Sequence, residues 1–157
     1  MLRGRGPVLI GVGNRNRGDD AAGPAVCDLV AELAPDRMRT VVLESSVIDL
    51  PDHWFDDDRV VIVDAGRPDG HPGRVREFDG LDDRLVVPGS MSTHTIDVGG
   101  AIELARVLGR LPAALTVIAI EGESFDFGAP LTASVRDSVE EVASDLSRRA
   151  TSPTGGG

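Results

Sequence analysis

The sequence predicts a three-layer α/β/α sandwich on a mixed, mostly parallel sheet of about five strands. Short β-branched apolar runs alternate with stretches of helical periodicity, the order expected of strand–helix–strand units. Four of the runs are apolar on both faces, as in strands covered on both sides. A fifth run alternates in polarity and follows a connection too short for a parallel crossover.

The first strand is predicted at Val8-Leu9-Ile10. A helix then runs from Pro24 to Leu33, with Val26, Leu29, Val30 and Leu33 on one stripe. Pro24 fits a first turn, where a missing N–H costs least. Val41-Val42-Leu43 and Val60-Val61-Ile62-Val63 read as the second and third buried strands. Only residues 65–72 separate the third strand from the alternating run Arg74–Phe78, whereas a parallel crossover needs about a dozen residues. The fourth strand is therefore predicted to run antiparallel to the third, at an edge of the sheet. A second helix is expected from about Thr95 to Leu108, with Gly109 as its stop and Gly99 and Gly100 explained by close packing. Leu115–Ile120 reads as the fifth strand. A last helix is expected from Thr132 to about Arg149, with Val135, Val139, Val142 and Leu146 on its stripe.

The chain has 157 residues, the length of one domain, expected over 1–150 with a fraying tail at 151–157. It contains no Lys, and 26 acidic residues against 16 Arg give a formal net charge of −10. So acidic a surface repels phosphate backbones and anionic lipid, which argues against nucleic acid and membrane partners. No run approaches the roughly 20 apolar residues of a membrane span. The first residues do not make a signal peptide, so the protein is expected in the cytoplasm. Cys27 is the single cysteine and is expected to be a buried small hydrophobe.

Ligands of open α/β sheets bind beyond the carboxyl ends of the parallel strands. Three polar segments fall there: Gly11–Asp20, Asp64-Ala65-Gly66 and Ser92-Thr93-His94-Thr95. Asp19 or Asp20, Asp64 and His94 would then converge in one cleft. Two carboxylates and an imidazole make an open site for a divalent metal, with positions left for water or substrate. One acid of the Asp19-Asp20 doublet is expected to cap the first helix, leaving the other free. Asp64 follows four apolar residues, a poor place for an idle charge.

Gly11-Val12-Gly13 also suggests a dinucleotide loop with Glu44 as the ribose acid. Asn16 stands where a third Gly is needed, and Arg15 and Arg17 crowd the loop, so a tight turn is the better account. His53, His71 and the run Asp56-Asp57-Asp58 are expected to be solvated. Trp54 and Phe55 are expected to pack on the sheet rather than to contact a partner.

On these residues the sequence resembles the hydrogenase maturation endopeptidases of nickel-iron hydrogenases. The resembling segments are GVGNRNRGDDAAGP at 11–24, VVIVDAG at 60–66, STHTIDVGGAIELARVLGRLP at 92–112 and GESFDFGAPLTASVRDSVEEV at 122–142. The resemblance implies a single α/β/α domain that removes a short C-terminal peptide from a hydrogenase large-subunit precursor. It implies that nickel is supplied by the substrate and read by Asp20, Asp64 and His94. The metal would polarise the scissile carbonyl, supply a hydroxide-like nucleophile or only position the substrate, and one carboxylate is an alternative general base. The segment Glu44–Asp49 is shorter than the family's glycine-rich loop, and Glu44 matches its acidic residue. A noncatalytic nickel-sensing or chaperone-like module, or a nucleotide-binding domain, are the alternative functions.

Overall fold

The computed structural model describes residues 7–82 and 97–151. Its elements, in chain order, are β1 (Val8–Val12), α1 (Ala22–Leu33), β2 (Arg39–Leu43), β3 (Arg59–Gly66), β4 (Val75–Asp79), α2 (Val98–Val107), β5 (Ala114–Glu121) and α3 (Ala133–Thr151). Short 3-10 turns at Gly18–Ala21 and Leu50–His53 complete the elements of the described residues. The strands form one sheet in the order β2-β1-β3-β5-β4. Neighbours are parallel except β4, which pairs antiparallel with β5.

β4 thus runs opposite to β3, as its short connection requires, with β5 between them. Its burial alternates along the strand, in keeping with an edge position. The second strand departs from expectation. β2 lies at the other edge, and Val41, Val42 and Leu43 are only half-buried.

Strand alternation divides the core in two. Leu9, Val63, Ala65, Ile118 and Ile120 face α1 and α3. Val8, Ile10, Val60, Ile62, Leu115 and Val117 face α2 and the 50–53 turn. Each fully buried Leu, Ile or Val contributes about 1.5–3 kcal/mol from removal of its surface from water.

Helix ends follow local chemistry. Asp97 caps α2 by accepting from the Gly100 amide at 2.8 Å. Gly100 itself is exposed, so close packing is not its reason for being glycine. Beyond α2, Gly109 takes φ +67° while its amide bonds Arg106 O at 3.1 Å and the Arg110 amide bonds Ala105 O at 2.8 Å. These paired reversed bonds are a Schellman stop, which favours a residue free to take positive φ. Thr132, expected inside α3, instead precedes it and accepts the Arg136 amide at 2.9 Å.

Trp54 packs as expected: it is buried and donates from Nε1 to Arg110 O at 2.7 Å. Phe55 is half exposed, contrary to expectation. Asp58 is also a correction. It is buried, accepts the Phe55 amide at 2.7 Å and lies 3.5 Å from the Arg39 guanidinium, while Asp56 and Asp57 are exposed.

Candidate active site

β1 connects through α1 to β2 on one side, whereas β3 leads toward β5 on the other. The carboxyl ends of β1 and β3 therefore flank the point where strand order reverses, the place where open sheets bind ligands. The chain leaving β1 is held close over this point. Gly13 donates to Leu43 O at 3.0 Å, and the Asn14 side chain accepts the Asn16 amide at 2.8 Å. Arg15 clamps the loop to α1 through Asp28, at 2.5 and 3.1 Å, and lies 3.4 Å from Glu44 at the end of β2.

The glycines admit close backbone approach. A side chain on Gly11 would meet Gly23 O at 2.5 Å and Cys27 Sγ at 2.8 Å. Gly13 has φ +141°, and its hypothetical Cβ would meet Asp20 O at a distance no real atom pair tolerates. The space a dinucleotide loop would give to pyrophosphate is filled by the chain's own backbone, so the tight-turn reading holds.

The two acids of the doublet separate sharply. Neither caps α1, whose first residue is preceded by Ala21 with no side-chain cap. Asp19 is fully buried and accepts the amides of Glu123 at 2.8 Å, Ser124 at 3.0 Å and Thr132 at 2.8 Å, together with the Thr132 hydroxyl at 2.9 Å. It ties the first loop to the segment between β5 and α3. Asp20 is half-buried and accepts only the Asn14 amide, at 2.9 Å on Oδ2, among the bonds given by the described residues.

Asp64 stands near the carboxyl end of β3, buried, with Oδ1 accepting the adjacent Ala65 amide at 2.9 Å. Burial first, and then the negative charge of Asp20, push its carboxyl well above the usual carboxylate range. The Ala65 amide opposes this and the Asp97 charge adds to it. Asp20 and Asp64 thus lie within electrostatic reach of each other, and Asp97 joins them from the start of α2. The third expected member, His94, lies outside the described residues. Among the described residues, no three His, Cys, Asp or Glu side chains form a group that could hold a metal ion unaided.

Sequence reasoning missed Asp97, although an Asp just ahead of a helical stripe is a capping signal. It also missed Glu121, at the end of β5. That carboxylate is buried and accepts the amides of Asp69 at 3.0 Å and His71 at 2.6 Å, and it lies 3.1 Å from Arg74 Nη2. Burial alone would raise its carboxyl. The two amides and the guanidinium outweigh burial and hold it below the ordinary value. Of the other candidates, Cys27 is buried with its thiol pushed up to about 12, chiefly by desolvation. His71 is exposed, while His53 is half-buried with Nε2 3.7 Å from Asp49, not solvated as expected.

Fold and site together define an α/β/α protein whose acids crowd the switch point of its sheet. The hydrogenase maturation protease family (HycI) matches residues 45–148, and the chain belongs to that family. The matched span includes Asp64 and His94 and begins after Asp20. Solved structures share the fold. The [NiFe] hydrogenase maturation protease HybD from Thermococcus kodakarensis is 24% identical, with a TM-score of 0.72 over 93% of this chain and 99% of that one. The hydrogenase maturating endopeptidase HybD from E. coli is 21% identical, with a TM-score of 0.73 over 90% and 89%. The endopeptidase HycI from Escherichia coli is 26% identical, with a TM-score of 0.67 over 91% and 90%. No curated protein matches the chain in sequence. No helix among the described residues is long and apolar enough to cross a membrane.

Proposed function

We propose that the protein is an endopeptidase that acts in the cytoplasm on a nickel-loaded [NiFe]-hydrogenase large-subunit precursor and removes its C-terminal extension. The observation that carries this reading is the meeting of Asp20 with buried Asp64 at the switch point, where burial and the neighbouring charge raise the Asp64 carboxyl. A buried carboxylate beside a second one is unfavourable alone and becomes favourable when a cation sits between them. Oxygen ligands without a thiolate hold a free divalent metal weakly, so a metal arriving with its own ligands from the substrate suits the set. His94 enters on its sequence position, three residues before Asp97, and completes an O,O,N set.

Hydrolysis adds water across the scissile bond: hydroxide goes to the acyl carbon and a proton to the departing amine. Substrate nickel beside the scissile carbonyl lowers the cost of the charge that develops there. Asp64, with its raised proton affinity, is the carboxylate best suited to accept the proton of the attacking water. The Asn14 amide fixes the orientation of Asp20.

Intact-mass measurement of a nickel-loaded precursor tests the reading. The wild type is expected to release the extension. Asp20→Asn, Asp64→Asn and His94→Ala are each expected to slow release by about a hundredfold or more while leaving the fold intact. Undiminished release by all three variants overturns the reading. Stable binding of the precursor by the wild type with no cleavage replaces it with a nickel-sensing binding module.

A further inference from the structure

The same face of the sheet that carries Asp64 continues into a trough the reaction above does not use. Val60 and Ile62 of β3, Leu115 and Val117 of β5 and Phe78 of β4 all belong to the α2-side core. By alternation, Asp64, Gly66, Ala119, Glu121 and Arg76 share that face. Strand register places them in rows: Asp64 opposite Ala119, Ala119 opposite Arg76, and Gly66 opposite Glu121. Gly66 and Ala119 present only a hydrogen and a methyl group. A hypothetical Cβ on Gly66 would lie 3.9 Å from the Ala119 methyl, with no closer side chain. The result is a half-open cavity of about 260 Å³ lined chiefly by Gly66, Arg67, Arg74, Arg76, Ala119 and Glu121.

Three arginines line this trough in a chain of net charge −10. Its acids are already engaged. Glu121 holds Arg74 and two amides, and Asp69 lies 3.1 Å from Arg74 and 3.7 Å from Arg76. The Arg76 contact is longer than a hydrogen bond, and the Arg76 side chain is two-fifths exposed. Arg67 is exposed and has no hydrogen-bond or ion-pair partner among the described residues. A cation-seeking acid pair thus stands at one end of the row and available guanidinium groups at the other.

We propose that the trough seats the substrate segment that follows the scissile bond, and that Arg67 and Arg76 bind a carboxylate carried by that segment. This rests on the reading that Asp64 meets the substrate's metal. Two strand spacings separate Asp64 from Arg76, about 10 Å, and an extended peptide covers about 3.3 Å per residue. The carboxylate therefore lies about three residues beyond the scissile bond, as an acidic side chain or as the chain terminus. Guanidinium forks match carboxylates in two-point contact, which makes this group the specific ligand.

Steady-state processing of the nickel-loaded precursor is the first arm of the test. Arg76→Ala and Arg67→Ala are expected to raise KM about tenfold with kcat little changed. Gly66→Leu, which fills the trough, is expected to do the same. Precursors with Asp→Asn and Glu→Gln in the first residues of the extension, or with a carboxamide terminus, separate the two sources of the carboxylate. Whichever change raises the wild-type KM is expected to add less in Arg76→Ala and nothing in the double variant Arg67→Ala/Arg76→Ala. Unchanged KM in both Arg variants, or independent additive effects, overturns the proposal. The second arm does not need cleavage. Amide NMR signals of Gly66, Ala119 and Glu121 are followed on titration with a synthetic extension peptide as free acid and with its carboxyl groups amidated. Shifts with the acid that vanish with the amide support the trough even if wild-type processing fails and the functional reading falls. No shift with either overturns it.

Discussion

Asp19 and Asp64 are both buried carboxylates near the ends of β1 and β3, and their neighbours set them to different tasks. Asp19 is satisfied by three amides and a hydroxyl from residues more than a hundred positions downstream. Asp19→Ala would leave those donors facing a void and is expected to cost about 3 kcal/mol, read as a lower urea midpoint. Asp64 has one amide and a like-charged neighbour. Its folded carboxyl is raised, so its contribution to stability is complete below the unfolded value of about 3.9 and is lost as pH climbs through the folded value. Asp64→Asn is therefore expected to raise Tm at neutral pH, by about 3 °C per kcal/mol gained, while activity falls. A lower Tm in that variant would contradict the assignment. Glu121 has the opposite sign. Its lowered carboxyl adds stability that is present above the unfolded value of about 4.3 and is lost as pH falls through the folded one. The margin in urea midpoint by which the wild type exceeds Glu121→Gln should shrink as pH is lowered from 6 to 3.

At the scale of elements, the strand that alternates and the strand that follows too short a connection are the same strand, β4. Its edge position and direction were both legible in the sequence for that reason. β2 was misread as fully covered because an apolar edge strand and an apolar central strand have the same composition, and only strand order separates them. Caps were mixed. Gly109 was legible as a stop because positive φ leaves few alternatives. The role of Asp19 was not, since its partners come from a segment that no local pattern connects to it. With nothing within 4 Å of its hypothetical Cβ, Gly109→Ala measures backbone conformation alone and is expected to cost about 1 kcal/mol in urea unfolding. Gly13→Ala meets both a positive φ and the Asp20 carbonyl, and is expected to cost at least about 3 kcal/mol and to displace Asp20.

Across the whole molecule, topology does what sequence order cannot. Asp20 and Asp64 are separated by 44 positions, yet a sheet that reverses its winding between β1 and β3 places both at one rim. That Asp20 and Asp64 both follow from strand ends was readable from the alternation of elements, while His94 lies outside the described residues. The addition of Asp97 was not readable, because it depends on where the start of α2 meets the sheet, and the basic trough was not, because it depends on register across β3, β5 and β4. The chain's acidity takes on local structure as well: Asp20, Asp64 and Asp97 gather beside a groove lined by Arg67, Arg74 and Arg76.

Nickel K-edge X-ray absorption tests most directly whether these carboxylates reach the metal of the substrate. The sample is a nickel-loaded precursor with a cleavage-blocking substitution at its scissile bond, measured alone, with the wild type and with Asp64→Asn. The account predicts added oxygen or nitrogen scatterers at about 2.0–2.2 Å on binding the wild type, reduced in the variant. An unchanged nickel shell in the wild-type complex would contradict it.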